Sequence, residues 1–274
     1  MAYESVFRLA AFLTAFAAVA WLEARTPRRT RSFKRRSRWP SNLGVVVLNS
    51  FILRILLPAG IAGFALVAEQ RRWGLLNNLQ LSALLAGCAA FVILDLTIYL
   101  QHVMFHAVPA LWRIHRMHHA DLDFDVTTGL RFHPAEIVLS GAIKLIAVAA
   151  LGPPAAAVLL FEIALNASSM FNHGNLYLPL PLDRILRRVV VTPDMHRVHH
   201  SIMVAETNSN FGFNLSWWDR LLGTYRAQPA AGHAAMIIGI EQFRAPRELV
   251  LDRMLTQPLR GPAGAYPLAG SAAQ

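Results

Sequence analysis

The chain has 274 residues, of which 55% are hydrophobic and only 15% charged, and its formal net charge is +10. A soluble domain usually carries about 25% charged residues, so this composition points to a membrane protein. The single cysteine, Cys88, excludes disulfides, iron–sulfur clusters and thiolate zinc sites within one chain.

The first apolar run extends from about Val6 to Leu22. Acidic Glu4 and the lack of an early basic region favour a retained helix over a cleaved signal peptide. Eight basic residues follow: Arg25, Arg28, Arg29, Arg31, Lys34, Arg35, Arg36 and Arg38. Nucleic acid could attract such a run, but its place between two apolar stretches makes it a membrane-flanking loop. Such loops stay cytoplasmic and meet anionic headgroups, and no nucleic-acid partner is expected. The second run, Leu43 to Val67, can cross a ~30 Å hydrocarbon core; Arg54 and Pro58 predict a kink within it. The third run, Leu79 to Met104, also spans. The segment Ile137 to Met170 is broken by Gly152-Pro153-Pro154. Its halves of about 15 residues predict a hairpin that dips into the bilayer and returns, or two short tilted spans. From Leu176 to about Tyr225 the chain is mixed and is expected to be helical. The tail from Gln257, rich in Gly, Pro and Ala, is expected to be flexible.

The fold class predicted is all-α, with about four integral membrane helices, the broken hairpin included, and a cytoplasmic helical cap. Three regions follow: residues 1–90 with the N-terminal spans and basic loop, 91–226 as a catalytic domain, and 227–274 as a C-terminal extension. A cytoplasmic 25–38 loop puts the N-terminus outside and brings the third span back in. The hairpin then begins and ends on the cytoplasmic side.

Ten of the eleven histidines fall between His102 and His200. Eight form three boxes: His102 and His106; His115, His118 and His119; His196, His199 and His200. Residues three and four apart share a helix face, so each box aims its imidazoles at one point. Eight clustered imidazoles in an apolar chain are costly to bury without partners, and a metal supplies the partner. Their number exceeds the needs of one ion, and two metals are the economical reading. Neither His-Glu-x-x-His nor a carboxylate-rich Glu-x-x-His pattern is present, which argues against a zincin protease or a ferritin-like site.

The pattern HxxxH, HxxHH, HxxHH behind membrane helices resembles the fatty acid hydroxylase/sterol desaturase superfamily. The likeness includes Asp95-Leu-Thr-Ile-Tyr99, Leu111-Trp112, His133-Pro-Ala-Glu136, Asn172-His173-Gly-Asn175 and Thr192-Pro193. It continues through Asn208-Ser-Asn-Phe-Gly212 and Trp218-Asp-Arg-Leu-Leu-Gly-Thr-Tyr225. It covers about residues 90–226; Val103 stands where these proteins often have arginine. The resemblance implies two iron ions that use O2 to hydroxylate or desaturate a lipid, sterol-like or fatty acyl. It implies the eight box histidines as ligands, His173 as a further ligand, and His133 as a ligand or an outer partner.

Asp95, Tyr99, His102 and His106 form one stripe along the third span. An acid inside a span is a functional hypothesis by default. Asp95 is expected either to accept a hydrogen bond from a ligand imidazole or to pair with Arg54 or Lys144. Asn172, Asn175, Asn208, Asn210 and Asp219 are candidates for holding the ligands or for turn chemistry. Glu136 is placed to cap its helix or to pair with a box residue. Trp217 and Trp218 are read as an interfacial anchor. No dinucleotide fingerprint or cysteine cluster is present, so electrons are expected from a separate ferredoxin or cytochrome with its reductase. The expected location is the inner or plasma membrane of a bacterium, with the boxes cytoplasmic. Rival readings are a His-rich metal transporter, a bis-histidine haem carrier and a zinc-dependent lipid hydrolase.

Overall fold

The computed structural model describes residues 4–268. Five segments are long and apolar enough to cross a bilayer: Glu4–Arg25, Arg35–Gln70, Ala83–Ala107, Pro134–Leu151 and Ala155–Asn172. The first is α1. The second divides into α2 (Arg35–Leu56) and α3 (Gly60–Gln70), and the break falls at Pro58, whose ring and missing N–H stop the ladder. The third is α4, capped by the Ser82 hydroxyl, which accepts from Leu85 N.

The hairpin is α6 (Pro134–Leu151) and α7 (Ala155–Asn172), two separate 18-residue helices. Gly152 ends α6 with φ of 63°, and a Cβ there would lie 2.2 Å from the Trp73 carbonyl oxygen, so only glycine fits. An apolar cluster joins α3, α4, α6 and α7 through Ile61, Ala65, Leu94, Ile98, Val148 and Phe161. Among the described residues no β-strand forms, only isolated bridges.

Beyond the end of α4 the chain folds as a polar cap. It contains α5 (Pro109–His119), α8 (Leu180–Leu186), α9 (Pro193–His199), α10 (Val204–Thr207) and α11 (Trp217–Leu221). The stretch from Leu176 to Tyr225 is thus not continuously helical. Pro179, Pro181 and Pro193 interrupt it, and side chains fix the loops instead. The Asn210 amide, for example, donates to the carbonyls of Met195 (2.9 Å) and Arg226 (2.8 Å) and accepts from Arg226 N (2.8 Å).

Two expectations need revision. The basic loop is not chiefly a lipid-facing surface. Arg28 pairs with Asp194 (3.1 Å), Arg35 with Glu23 (3.0 Å), and Arg29 donates to the carbonyls of His233 and Met236. Arg38 is fully buried between Asp121 and Asp125, at 2.6 Å from each. Arg31, Lys34 and Arg36 stay exposed. Second, the start of the tail is packed. Tyr266 stacks on Trp112 with centroids 5.3 Å apart, and the buried Arg116 guanidinium donates to the carbonyls of Gln257, Arg260 and Pro262. These carbonyls lie in and just after the short 3-10 helix Gln257–Leu259, beyond which Gly261 and Pro262 continue no helix. The last six residues of the predicted flexible tail lie outside the described residues.

Candidate metal centre

Nine histidines converge in two adjoining buried groups. One holds His102, His106, His115, His119 and His199; the other holds His118, His173, His196 and His200. Within each group the candidate ligand nitrogens all lie within 4.8 Å of one another. The split follows from helical phase. In His115-Arg-Met-His118-His119 the outer pair, four residues apart, shares a face and joins the first group, while His118 is rotated into the second. In His196-Arg-Val-His199-His200 the outer pair joins the second group and His199 the first. Each HxxHH box therefore straddles both groups.

The spacing suits shared ions. His119 Nε2 lies 3.1 Å from His106 Nε2 and 3.2 Å from His115 Nε2. His173 Nε2 lies 3.1 Å from His118 and His196 and 3.2 Å from His200. Two nitrogens each ~2.1 Å from one ion at a right angle stand about 3.0 Å apart. His102 Nε2 and His199 Nε2 are buried without any hydrogen-bond partner, a state that costs free energy unless something binds them.

Five of the outer nitrogens are held by oxygen, whereas Nδ1 of His118, His196 and His200 has no hydrogen-bond partner. Nδ1 of His102 donates to Phe211 O (2.8 Å), and that of His199 to Ser209 O (2.8 Å). Nδ1 of His173 donates to Ser169 O (2.7 Å), that of His106 to Asn208 Oδ1 (3.1 Å), and that of His115 to Glu136 Oε1 (2.7 Å). These bonds fix the tautomer that leaves Nε2 free for a metal. Burial, with neighbouring imidazoles adding, holds His118, His119, His196, His199 and His200 well below the ordinary histidine pKa, and burial takes His173 to about 3. All six are neutral at physiological pH, the protonation state a ligand needs. The donor set thus fits two metal ions, one per group.

His133 stands apart from both groups. Its Nδ1 accepts from Ala135 N at the start of α6 and its Nε2 faces Leu255 O at 3.2 Å. It caps a helix whose fixed Pro134 sits at the first position. Asp95 reaches no imidazole, nor Arg54 or Lys144; Lys144 faces Glu162 at 3.5 Å. Asp95 accepts instead from Asn214 Nδ2 (2.8 Å), Trp218 Nε1 (2.9 Å) and Leu215 N (3.2 Å). It ties α4 to the segment that follows the third box, and so works at one remove from the ligands. Asp219 acts nearby, accepting from Phe211 N (2.7 Å) and Gly212 N (2.9 Å) and so placing the carbonyl that holds His102.

Sequence reasoning missed the buried network behind the second box: Asp121, Asp125, Arg38, Thr128 and Arg131. Its visible signal was the acid at every second position from Asp121 to Asp125, directly after His119. Also missed were Phe132 and Phe213. Phe132 stacks on His118 (4.4 Å between centroids), and Phe213 sits 6.1 Å from His102 and 6.2 Å from His196. The pair touches histidines of both groups.

The sequence model described as fatty acid hydroxylase matches residues 87–224, half of the chain. The chain belongs to the fatty acid hydroxylase family. It is 34% identical over 139 residues to the ornithine lipid hydroxylase OlsE of Rhizobium tropici, covering 50% of this chain and 41% of that protein. It is 30% identical over 145 residues to the alkylglycerol monooxygenase of Homo sapiens, covering 51% of this chain and 30% of the relative. The Xenopus tropicalis alkylglycerol monooxygenase is 31% identical over 140 residues, 49% of this chain and 29% of the relative. The match thus spans less than half the length of these curated relatives. No solved structure matches significantly. The segment that matches the fatty acid hydroxylase family contains every histidine of both groups.

Glu136 offers a direct test of how this family member holds its ligands. Glu136→Gln keeps an acceptor for His115 but removes the charge that strengthens it. Metal affinity is expected to fall about 10–100-fold, with the melting temperature of the metal-free protein little changed. A competition titration with a chelator measures it.

Proposed function

We propose that this chain is a membrane-bound, O2-dependent di-iron oxygenase that hydroxylates a lipid carrying a long alkyl or acyl chain. The observation that carries this reading is the pairing of two buried imidazole groups at the end of a membrane-spanning helix. His102, His106, His115, His119 and His199 would hold one iron, and His118, His173, His196 and His200 the other. Bound there, two irons supply the reductive use of O2 needed to break an unactivated C–H bond. The balance is RH + O2 + 2 electrons + 2 protons giving ROH + H2O, and a separate one-electron carrier supplies the electrons. Two similar proteins are named a hydroxylase and a monooxygenase, which favours hydroxylation over desaturation.

The chain's own residues provide position and dryness. Trp112, Phe211 and Phe124 pack on His106 and His200 and keep water from the groups. Phe213 also packs on the apolar cluster of the spans, so it stands between the lipid phase and both metal groups. A chain arriving from the bilayer meets this ring first. The bonds from Arg28 to Asp194 and from Arg38 to Asp121 support a topology in which the basic loop and the histidines share one side of the membrane. The excess of arginine in that loop supports a cytoplasmic side, which in a bacterium would be that of the inner membrane.

The test is to express the chain with iron, O2 and a reducing system and compare lipid extracts by mass spectrometry. Gain of one oxygen atom on an alkyl or acyl lipid is expected; unchanged lipids together with zinc in the purified protein contradict the proposal. Phe213→Ala sharpens it. Removing the ring lets the chain shift, so hydroxylation should spread to neighbouring carbons and kcat should fall by up to ~100-fold while iron is retained. Fragmentation spectra of the product read the position.

A further inference from the structure

A cleft of about 410 Å³ opens on the side of the cap between α10 and the strap that follows α11. Asn208, Ser209, Thr224, Tyr225 and Arg226 line it. Two of these already touch the metal centre: His106 Nδ1 donates to Asn208 Oδ1 at 3.1 Å and His199 Nδ1 donates to Ser209 O at 2.8 Å. Both histidines belong to the same group. Five oxygen acceptors hold imidazoles of the centre. Phe211, Glu136, Ser209 and Ser169 are buried, whereas Asn208 is partly exposed. The cleft is therefore where surface and metal group come closest through bonded atoms: one amide, one hydrogen bond and one imidazole.

The charge of the cleft is one-sided. Arg226 is its single charged lining residue; it is exposed, and its backbone is pinned by Asn210. Arg220 lies over the Tyr225 ring at 3.8 Å. The acids nearby are spent: Glu206 is buried and accepts from Ala230 N, and Asp219 is buried beneath Thr224.

We infer that this cleft is the docking surface for a small acidic one-electron carrier protein, and that electrons reach the centre through Asn208–His106. The inference rests on the oxygenase reading for its purpose, since that reaction consumes two electrons from a donor at every turnover. Each encounter oxidises one carrier by one electron, and two encounters serve one turnover, the protons coming from water. A complementary acidic patch would steer the carrier to Arg226 and make association depend on salt. The rival patch is the exposed remainder of the basic loop, Arg31, Lys34 and Arg36, whose residues make no recorded bond to a metal-group histidine.

The test is binding, so it needs neither iron nor substrate. The probe is an acidic plant-type [2Fe–2S] ferredoxin titrated onto the full chain in nanodiscs of neutral lipid, with basic cytochrome c as the charge-reversed control. Arg226→Glu is expected to weaken ferredoxin binding about tenfold at low salt. Ala205→Trp, which fills the cleft without changing charge, should weaken it similarly. The loop variant Arg31→Glu with Arg36→Glu should bind within about twofold of wild type. Melting temperatures confirm that each variant is folded. No ferredoxin binding by wild type, equal binding of cytochrome c, or loss in the loop variant with none in the cleft variants overturns the inference. The oxygenase reading fails separately, by absence of oxygenated lipid under chemical reductant.

Discussion

Under the di-iron proposal, replacing His173 with alanine is expected to take the protein from two bound irons to one and to abolish turnover. His173 is the hub of its group, with Nε2 at 3.1 Å from His118 and His196 and 3.2 Å from His200. It is delivered by the end of α7, and its ring is fixed by the 2.7 Å bond to Ser169 O. Three imidazoles remain without it, with the His200 ring 4.6 Å from that of His118 and 5.2 Å from that of His196, and the nitrogen central to the group is gone. Losing an outer partner of a ligand typically costs 10–100-fold in affinity, so losing the ligand itself should cost at least ~100-fold. His133→Ala is the matched control. It lies outside both groups, and its removal should cost about 1 kcal/mol as a helix cap while both irons are kept. Iron content per chain, measured on both variants, separates the two roles.

Arg38→Met, in the first turn of α2, is expected to be strongly destabilising, because it unties α2 from the cap. Arg38 is fully buried; its guanidinium reaches both oxygens of Asp121 (2.8 and 2.6 Å), Asp125 (2.6 Å) and Thr128 (3.0 Å). Removing it strands two carboxylates, at a cost of about 3–5 kcal/mol. Asp121 follows His119 by two residues, so its displacement should also reduce iron occupancy. A pH dependence goes with it. Burial opposes ionisation of Asp121, but Arg38 and Arg131 outweigh it and bring the pKa from 3.8 down to about 2. A depressed carboxyl stabilises the fold above its unfolded pKa, and this is lost as pH falls from about 4 to 2. Without Arg38 that contribution shrinks. The metal-free variant should therefore unfold at a higher pH than wild type, as acid titration by circular dichroism would report.

The spans and the histidine boxes were legible because each is a local pattern. Apolar length marks a membrane helix, and spacing of three and four marks a shared helical face. The kink at Pro58 and the turn at Gly152 were legible for the same reason. What stayed hidden depends on partners distant in sequence. Arg38 and Arg28 read as lipid-facing cations because their partners, Asp121 and Asp194, lie 83 and 166 residues away. Asp95 read as a partner for a ligand imidazole, or for Arg54 or Lys144, yet it serves Asn214, Leu215 and Trp218. His133 had the residue type of a ligand but no box around it, and a lone histidine before proline has a second use as a cap. The packed tail from Gln257 had the composition of a flexible one, because the carbonyls held by Arg116 leave no trace in side-chain identity.

The most direct test is the metal content of the wild-type chain purified under anaerobic conditions from iron-supplied cells, by elemental mass spectrometry. Two adjoining imidazole groups predict two iron atoms per chain. A single metal per chain, or zinc in place of iron, would contradict the account.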